Sequence, residues 1–261
     1  MAKIITVANR KGGVGKTTTT INIGALLEDK GYKVLYVDLD KQSDTSKNLR
    51  ADLKVKGAYE ILADKESAIN VTQVITNEEK NTTHSVITAS EKLSKIPSLL
   101  NGVIDSEYIL KDSLESISNY FDFIVIDTPP TLDIITNNAL VCSDLVVITS
   151  VASIFSLDGA ISLLDNINAI KKRKNPSLKV GGIVLTSFNK RTILANDLKE
   201  ALDEIAIKYG TKTYNTCIRK CTALEEAQAY NLTISEYKKN SNAYEDYSSL
   251  TDEILKDIKL W

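Results

Sequence analysis

The glycine-rich stretch NRKGGVGKTTTT at residues 9–20 follows directly on a short apolar run, KIITVA at residues 3–8. Its glycines Gly12, Gly13 and Gly15 let the backbone approach an anion without interference from Cβ atoms. A strand, a glycine loop and a helix N-terminus bring backbone N–H groups and the helix dipole to one point, where they bind phosphate. The stretch therefore predicts an α/β fold with a phosphate site where a strand meets a helix.

The side chains after the glycines indicate which phosphates are bound. Lys16 is placed to reach β- and γ-phosphates, and the Thr17 hydroxyl is placed to coordinate Mg²⁺. Val14 and Thr18 complete the segment that we expect around the ligand. The sequence thus predicts a nucleoside triphosphate and Mg²⁺ at this loop.

Two apolar runs further along the chain end in aspartates. FIVID ends at Asp127, where a carboxylate would hold Mg²⁺, usually through water. VLYVDLD carries Asp38 and Asp40 where its strand ends. We expect one of these two to face a water beyond the γ-phosphate; the alternative for both is a solvated loop.

Short β-rich runs alternate with longer helix-period segments, which is typical of a mostly parallel twisted sheet flanked by helices on both faces. The predicted strands are 3–8, 33–38, 84–89, 121–127, 145–150, 180–187 and 212–218. The predicted helices are 16–30, ending at Gly31, then 106–119, 156–171, 192–208, 222–230 and 240–259. Residues 44–105 are polar and mixed, so only short helices are expected there. We predict a single α/β domain over residues 1–261.

The composition limits where such a chain can act. A net charge of −2 and a pI near 5.6 argue against attraction of the whole molecule to nucleic acid or an anionic membrane, so either must bind a local patch. No apolar run approaches the roughly 20 residues that cross a bilayer, and the start of the chain lacks a signal-peptide pattern, so we expect a cytoplasmic protein. Three cysteines are too few for a disulfide framework. The single histidine, His84, begins a predicted strand far from the loop, which argues against general-base chemistry by histidine.

The segments KGGVGKTTT, VLYVDLDKQSD and FDFIVIDTPP, at these separations, resemble the motifs of the deviant Walker A ATPases, most closely the ParA/Soj proteins of DNA partition. The resemblance covers nearly the whole chain, because GGIVLTSFNKRT and ALEEAQAYNLTI are similar to later segments of that family. It implies a P-loop NTPase fold, Mg²⁺-dependent ATP hydrolysis, and a function in plasmid or chromosome segregation.

The glycine loop carries two lysines, Lys11 and Lys16, and the resemblance gives Lys11 a role. It implies that Lys11 is the signature lysine, which reaches across a two-fold interface to the phosphates of the other subunit. Two ATP molecules would then lie between two chains of a homodimer. Lys11 and Lys16 would be catalytic through their charge on the transferring phosphoryl group.

Further roles follow from the same resemblance. Asp40 would be catalytic by positioning the attacking water, beside Asp38 in a switch that also includes Asp127. Asn189 would contact the adenine, and Arg219 is counted among the nucleotide-binding residues.

A partition ATPase of this kind holds DNA without sequence specificity as an ATP dimer and releases it after hydrolysis, so we expect it on the nucleoid. Such binding rests mainly on lysine and arginine at phosphates. The candidate contacts are Arg191, Arg219, Lys220, Lys238 and Lys239. The denser run KKRK at 171–174 is a weaker candidate, because a helix C-terminus favours cations in any case.

One segment departs from the family pattern. Partition ATPases commonly read Ile-Pro-Arg-Asn followed by a further basic residue, whereas this chain reads CIRKCTAL. Arg219 replaces the proline, Lys220 the arginine and Ala223 the later basic residue. We expect no helix-turn-helix module before the first strand, as in the shorter, Soj-like type that the chain resembles. The expected partner is a separately encoded centromere-binding protein of the ParB kind, or a small ribbon-helix-helix equivalent.

The main alternative is a MinD-like membrane-associated positioning ATPase, whose C-terminal helix would lie on lipid. The C-terminal segment SSLTDEILKDIKLW has apolar residues near one face, but its three acids would repel an anionic bilayer. The apolar residues are Leu250, Ile254, Ile258 and Trp261. An iron–sulfur carrier would need differently spaced cysteines. A nucleotide switch without hydrolysis is a further alternative, although every residue assigned to the metal and the water is present.

Overall fold

The computed structural model describes residues 1–259, except the side chains of Ile154 and Phe155. Within this range the strands are β1 (Lys3–Ala8), β2 (Val34–Asp38), β3 (Thr72–Asn77), β4 (Thr82–Ile87), β5 (Phe123–Asp127), β6 (Leu145–Val151) and β7 (Lys179–Thr186). The α-helices are α1 (Lys16–Asp29), α2 (Asp44–Asn48), α3 (Ala58–Asp64), α4 (Ala68–Val71), α5 (Ile96–Leu99), α6 (Ile109–Glu115), α7 (Ile134–Cys142), α8 (Ile154–Arg173), α9 (Ile193–Lys208), α10 (Thr222–Ala229), α11 (Ile234–Tyr237) and α12 (Asn242–Lys259).

These strands form one sheet in the order β3-β4-β2-β5-β1-β6-β7. Neighbouring strands are parallel, except that the edge strand β3 pairs antiparallel with β4. Strand β1, which precedes the glycine loop, lies between β5 and β6. The predicted fold class, a mostly parallel sheet flanked by helices, is confirmed.

The side chains of each central strand alternate between two apolar cores, because successive residues of a strand point to opposite faces. In β2, Val34 and Tyr36 pack on the face covered by α1 and α12. Leu35 and Val37 pack on the other face, under α3, α6 and α7. A third core lies under α8 and α9 beside β6 and β7. Burial on both faces explains why these strands read as continuous apolar runs.

Helix α1 approaches β2 closely at a residue that has no side chain. A Cβ atom on Gly24 would lie 2.1 Å from Cε1 of the Tyr36 ring, so glycine is required there. The helix is followed by Gly31, whose φ of 88° is left-handed and whose N–H donates to the Glu28 carbonyl. The predicted glycine end of this helix is confirmed.

The predicted strand at residues 212–218 is wrong. The segment makes only isolated parallel bridges beside β7: the N–H groups of Tyr214 and Ile218 donate to β7 carbonyls, but the pairing is interrupted between them. The side chains of both residues are buried in the core that also contains α12. The two bridges join Ile183 to Thr213 and Phe188 to Arg219. The sheet therefore ends at β7.

Three other elements differ from the prediction. Strand β3 was not predicted, because it is a half-exposed edge strand in which only two adjacent apolar residues, Val74 and Ile75, stand between polar ones. Helix α7 was also not predicted; the Asp133 side chain caps it by accepting from the Ile135 N–H. The helix predicted at 106–119 is shorter, since Asp105 has a left-handed φ of 57° and α6 begins only at Ile109.

Helix α12 turns its apolar face to the interior. Leu250 and Ile254 are fully buried in the core shared with α1. The apolar face considered for lipid binding is therefore covered by the protein itself. Trp261, which belonged to that prediction, lies outside the described residues. No helix within residues 1–259 has the length and apolar character needed to span a membrane.

A buried ionic cluster joins β4 to α1 and α11. His84, which is 1% exposed, has Nδ1 at 2.8 Å from Glu28 Oε2 and Nε2 at 3.6 Å from Glu236 Oε1. Arg50 donates to the same Glu236 oxygen at 2.8 Å. Burial by itself lowers the pKa of His84, but attraction to Glu236 and Glu28 outweighs burial and raises the pKa to about 9.

We expect this cluster to make the fold less stable as the pH rises from about 6.5 to about 9. A histidine whose pKa is higher in the folded chain stabilises it fully below the unfolded pKa of about 6.5, and the stabilisation is lost as the pH passes the folded value. The difference corresponds to about 3 kcal/mol of unfolding free energy. Urea unfolding of the protein and of a His84→Gln variant would measure it. The variant should be less stable near pH 6 and equal near pH 9.5; a constant gap would contradict the assignment.

Candidate functional site

Three adjacent strands end together at the carboxyl edge of the sheet. Val7 of β1 stands opposite Asp127 of β5, and Asp127 stands opposite Asp38 of β2. From β1 the chain crosses to β2 on one side of β1, whereas β6 pairs with β1 on its other side. At such a switch point an α/β sheet has a crevice outside its strand ends, and ligands bind there. The topology thus brings the glycine loop and two of the predicted aspartates to one place.

The glycine loop is shaped to receive an anion. Gly13 and Gly15 have left-handed φ angles of 71° and 79°, and a Cβ atom on Gly12 or Gly13 would meet nothing within 4 Å. The loop is fixed from behind, because the Thr186 hydroxyl of β7 donates to the Val14 carbonyl at 3.0 Å. The backbone can therefore lie directly against a phosphate.

Lys16 is the buried cation of the site. It is 6% exposed, and its ammonium donates to the Lys11 carbonyl at 3.0 Å. Burial lowers the pKa of Lys16, while the carboxylates of Asp127 and Asp40 oppose that effect. A phosphate group bound here would stabilise the charged ammonium further.

Thr17 and Asp127 meet as the sequence predicts. The Thr17 hydroxyl donates to Asp127 Oδ2 at 2.7 Å, and the Thr45 hydroxyl of α2 donates to the same oxygen at 2.8 Å. The other oxygen, Oδ1, is buried without a hydrogen-bond partner among the described residues. Burial raises the pKa of Asp127 despite these two hydrogen bonds. A cation at Oδ1 would satisfy this oxygen and favour its charged form.

A carboxylate and a threonine hydroxyl are ligands that suit Mg²⁺, which usually takes its remaining ligands from phosphates and water. The described residues contain no cluster of three His, Cys, Asp or Glu side chains that could hold a metal by itself. Thr17 and Asp127 therefore fit a Mg²⁺ ion that arrives with a nucleotide.

Asp38 is a structural centre of the segment that follows β2. Its oxygens accept from the backbone N–H of Asp40 at 3.1 Å and from the N–H and hydroxyl of Ser46 at 2.9 and 2.6 Å. Burial and the neighbouring Asp127 raise the pKa of Asp38. Asp40, two residues later, is only half-buried and lines the cavity described next. Of the two, Asp40 is the one that can face a ligand.

A cavity of about 520 Å³ opens beside the loop. Lys16, Thr17, Thr18 and Asp40 line it as predicted, and side chains from α2 and α10 close it. The sequence analysis did not predict the cavity residues of those two helices, Lys47, Asn48 and Gln228 among them, nor Asn231, which follows α10. The polar run DTSKN, directly after the acidic strand end, was the available signal for α2. A helix was predicted over residues 222–230, but no local signal placed α10 at the cavity.

Lys11 stands at the start of the loop, between the loop and α8. Its ammonium lies 3.1 Å from the hydroxyl of Ser153, the residue before α8, and its backbone N–H donates to Asn9 Oδ1. Gly159 of α8 packs beside it, since a Cβ atom there would lie 3.2 Å from Asn9 Oδ1. In this conformation Lys11 therefore contacts its own chain.

The predicted adenine contact and three of the five predicted DNA contacts lie at a second cavity, of about 690 Å³, beyond the end of β7. Asn189, Arg191, Arg219 and Lys220 line it. None of these four lines the cavity at the glycine loop. The structure thus separates Asn189 and Arg219 from the predicted phosphate contacts while bringing them beside the candidate DNA residues.

Arg219 differs from its neighbours because its charge is already paired. Its guanidinium donates to Asp246 and Glu245 of α12, at 2.6 and 2.7 Å from Nη2. These hydrogen bonds hold the pKa of Arg219 above its usual value. Arg191 and Lys220 are exposed and form no ion pair with another described residue.

The structure does not bring Lys238 and Lys239 to this cavity. Lys239 donates to Asp29 at 2.9 Å, at the C-terminal end of α1. A helix of 14 residues is about 20 Å long, so this contact lies far from the glycine loop. Neither lysine lines the second cavity, although Asn242, three residues after Lys239, does.

Comparison with known proteins identifies the family. Residues 2–180 match a family model described as an AAA domain. The chain is 35% identical to the sporulation initiation inhibitor protein Soj of Bacillus subtilis, over 97% of this chain and 98% of that protein. The chain belongs to the ParA/Soj family of P-loop ATPases. It is also 35% identical to the chromosome-partitioning ATPase Soj of Treponema pallidum, over 98% of each.

A solved structure shares the fold of this chain. A protein from Mycobacterium smegmatis described as cobyrinic acid a,c-diamide synthase, with bound ATP analog and magnesium, has a TM-score of 0.82 to this chain at 27% identity. The likeness covers 99% of this chain and 96% of that one. The resemblance to ParA/Soj proteins predicted from the motifs is confirmed.

Proposed function

We propose that this ParA/Soj-family chain is the Mg²⁺-dependent ATPase of a DNA partition system. The observation that carries the proposal is the meeting of Lys16, Thr17, Asp40 and Asp127 at the glycine loop. The name of the T. pallidum relative and the ATP analog and magnesium in the M. smegmatis structure support it. The 27% identity to that structure, against 35% to the Soj proteins, gives its biosynthetic name less weight for this chain.

Each side chain has a separate task in ATP hydrolysis. Thr17 and Asp127 hold Mg²⁺, which supplies positive charge to the phosphates. Lys16 stabilises the charge on the transferring phosphoryl group from a buried position, where water screens it little. Asp40 faces the cavity and holds the attacking water. No covalent intermediate is needed.

The dimer depends on Lys11 in this proposal. The lysine leaves Ser153 and reaches the phosphates bound by a second copy of the chain, so that two ATP molecules lie between two subunits. A contact that needs ATP favours the dimer only in the ATP state, which lets nucleotide state set the number of subunits.

DNA binding follows from the dimer. Arg191 and Lys220 are the main contacts, because both are exposed at one cavity and neither is neutralised within the described residues. Arg219 contributes less unless Asp246 and Glu245 release it. Dimerisation doubles these contacts, and a ParB-like protein stimulates hydrolysis and release. Binding of this kind would place the protein on the nucleoid.

The MinD-like alternative has less support. A membrane-positioning ATPase needs an apolar helix face for lipid, and the face of α12 that carries Leu250 and Ile254 is buried against the core of the protein. The partition reading needs no such face.

Binding of the purified protein to random-sequence duplex DNA tests the proposal. Fluorescence anisotropy would be measured with ATP, with ADP and without nucleotide, each with Mg²⁺ and across a salt series. We expect binding only with ATP. If a dimer neutralises four phosphates, the affinity should fall roughly 100-fold between about 50 and 200 mM salt. Equal binding in all three nucleotide states, or none, would contradict the proposal.

A Lys11→Ala variant separates the dimer from nucleotide binding. It should bind fluorescent ATP within about threefold of the unaltered protein, yet remain a monomer by light scattering and lose DNA binding. Lys80→Ala is the matched control, because Lys80 is an exposed lysine in the turn between β3 and β4. An ATP-dependent dimer that survives Lys11→Ala would remove the role of Lys11 in the partner's site.

A further inference from the structure

Several hydrogen bonds join the C-terminal part of the chain to α1, and one of them lies at the cavity beside the glycine loop. Nε2 of Gln228, in the last turn of α10, donates to the Thr18 hydroxyl at 2.6 Å across 210 residues of sequence. Both side chains line the cavity at the loop. Gln228 is exposed, so neither packing nor burial requires the contact.

The direction of this hydrogen bond matters for the ligand. A threonine hydroxyl has one proton to donate and two lone pairs that accept. Because Gln228 donates to Thr18, the Thr18 proton stays available, and the hydroxyl donates to no other described residue. Phosphate oxygens at neutral pH mainly accept hydrogen bonds. The Gln228–Thr18 hydrogen bond therefore leaves the Thr18 hydroxyl able to donate to a phosphate in the cavity.

The backbone around Gln228 is held firmly from two sides. Arg50, which follows α2, donates to the Asn231 carbonyl at 3.1 Å, and Asn231 has a left-handed φ of 52°. On the α1 side, the Ile234 N–H donates to Asn22 Oδ1 at 2.9 Å. These contacts fix the corner between α10 and α11 against both helices that border the cavity, so Gln228 has a defined place there.

We infer that Gln228 is a positioning residue of the nucleotide site, which orients the Thr18 hydroxyl so that it donates to a phosphate of the bound nucleotide. The inference rests on the ATP-binding part of the proposed function, and it is independent of DNA binding. The P-loop backbone cradles the α- and β-phosphates, which ATP and ADP share. The effect of Gln228 should therefore be the same for both nucleotides.

Equilibrium titration with fluorescent ATP and ADP in the presence of Mg²⁺ tests this role. Gln228→Ala should weaken both nucleotides by about fivefold, the size of one neutral hydrogen bond. Gln228→Glu should weaken both by about 30-fold or more, because a carboxylate takes the Thr18 proton and repels phosphate. Ala229→Glu is the matched control, since it puts the same charge on the next exposed residue; it should change affinity by less than about twofold.

A double-mutant cycle with Thr18→Val locates the effect. In that background Gln228→Ala should have no further effect, because the hydroxyl that it orients is gone. Wild-type affinity in Gln228→Glu, or an undiminished effect of Gln228→Ala beside Thr18→Val, would overturn the inference. Protein that binds nucleotide as expected here but ignores DNA would instead overturn the partition proposal, and failure to bind nucleotide at all would overturn both.

Discussion

Replacing Lys16 by alanine is expected to weaken ATP binding by about 100-fold or more. The ammonium is almost fully buried beside Asp127 and Asp40, so it acts on a phosphate with little screening by water. Removing one partner of a buried charge pair costs about 2–5 kcal/mol, which corresponds to roughly 30- to 4000-fold in affinity. Titration with fluorescent ATP would measure the loss.

The fold should survive this change. Burial already disfavours the charged form of Lys16 in the protein without nucleotide, as its lowered pKa shows. Its removal should therefore leave the melting temperature almost unchanged. Lys16→Arg is the companion variant: it keeps the charge but places a larger, planar group in the same space, and should also bind poorly. Tight ATP binding by Lys16→Ala would sink the assignment of the loop.

Replacing Asp40 by alanine is expected to separate binding from hydrolysis. Asp40 lines the cavity, whereas the proposed Mg²⁺ ligands are Thr17 and Asp127, which are joined by a hydrogen bond. A group that positions or deprotonates the reacting water contributes typically 10²- to 10⁴-fold, so single-turnover hydrolysis should slow by about 100-fold or more. ATP affinity should hold or rise, because a carboxylate that repels phosphate is removed.

The ATP-bound dimer should consequently persist longer in Asp40→Ala than in the unaltered protein. Single-turnover hydrolysis and light scattering over time would record the two effects together. Asp52→Ala is a suitable control, since Asp52 is an exposed acid in the loop beyond α2. Normal turnover in Asp40→Ala would mean that another residue holds the water.

A sequence reveals those parts of the site whose backbone shape and ligand-binding side chains are set by a few consecutive residues. The loop with Gly12, Gly13 and Gly15, and the aspartates at the ends of β2 and β5, carry their signals within a few residues. Strands β1, β2 and β5 are buried on both faces, so their apolar runs are continuous and their positions were predicted almost to the residue.

The parts that the sequence did not reveal depend on contacts between distant segments. Nothing near residues 212–218 indicates that pairing with β7 stops at isolated bridges while Tyr214 and Ile218 fill a core with α12. Thr45 and Ser46 hold Asp127 and Asp38 only because α2 folds back beneath the strand ends. Gln228 meets Thr18 across nearly the whole chain. Local propensity carries no information about such pairings.

The sequence also could not show which charged side chains are already paired within the fold. Arg219 looked like a free cation in the sequence, yet Asp246 and Glu245 neutralise it from a helix more than twenty residues later. Charge counted along a chain does not show which charges are already paired.

The sheet order also decides when the site can first exist during synthesis. Strand β1, with the loop behind it, pairs only with β5 and β6, and Lys3 finds its partner at Phe123, about 120 residues later. Ribosomes add about 5–20 residues each second, so the loop waits roughly 6–24 s in the cell without the neighbour that bears Asp127. We expect a nascent chain to gain affinity for nucleotide abruptly, late in translation, when its central strand is enclosed.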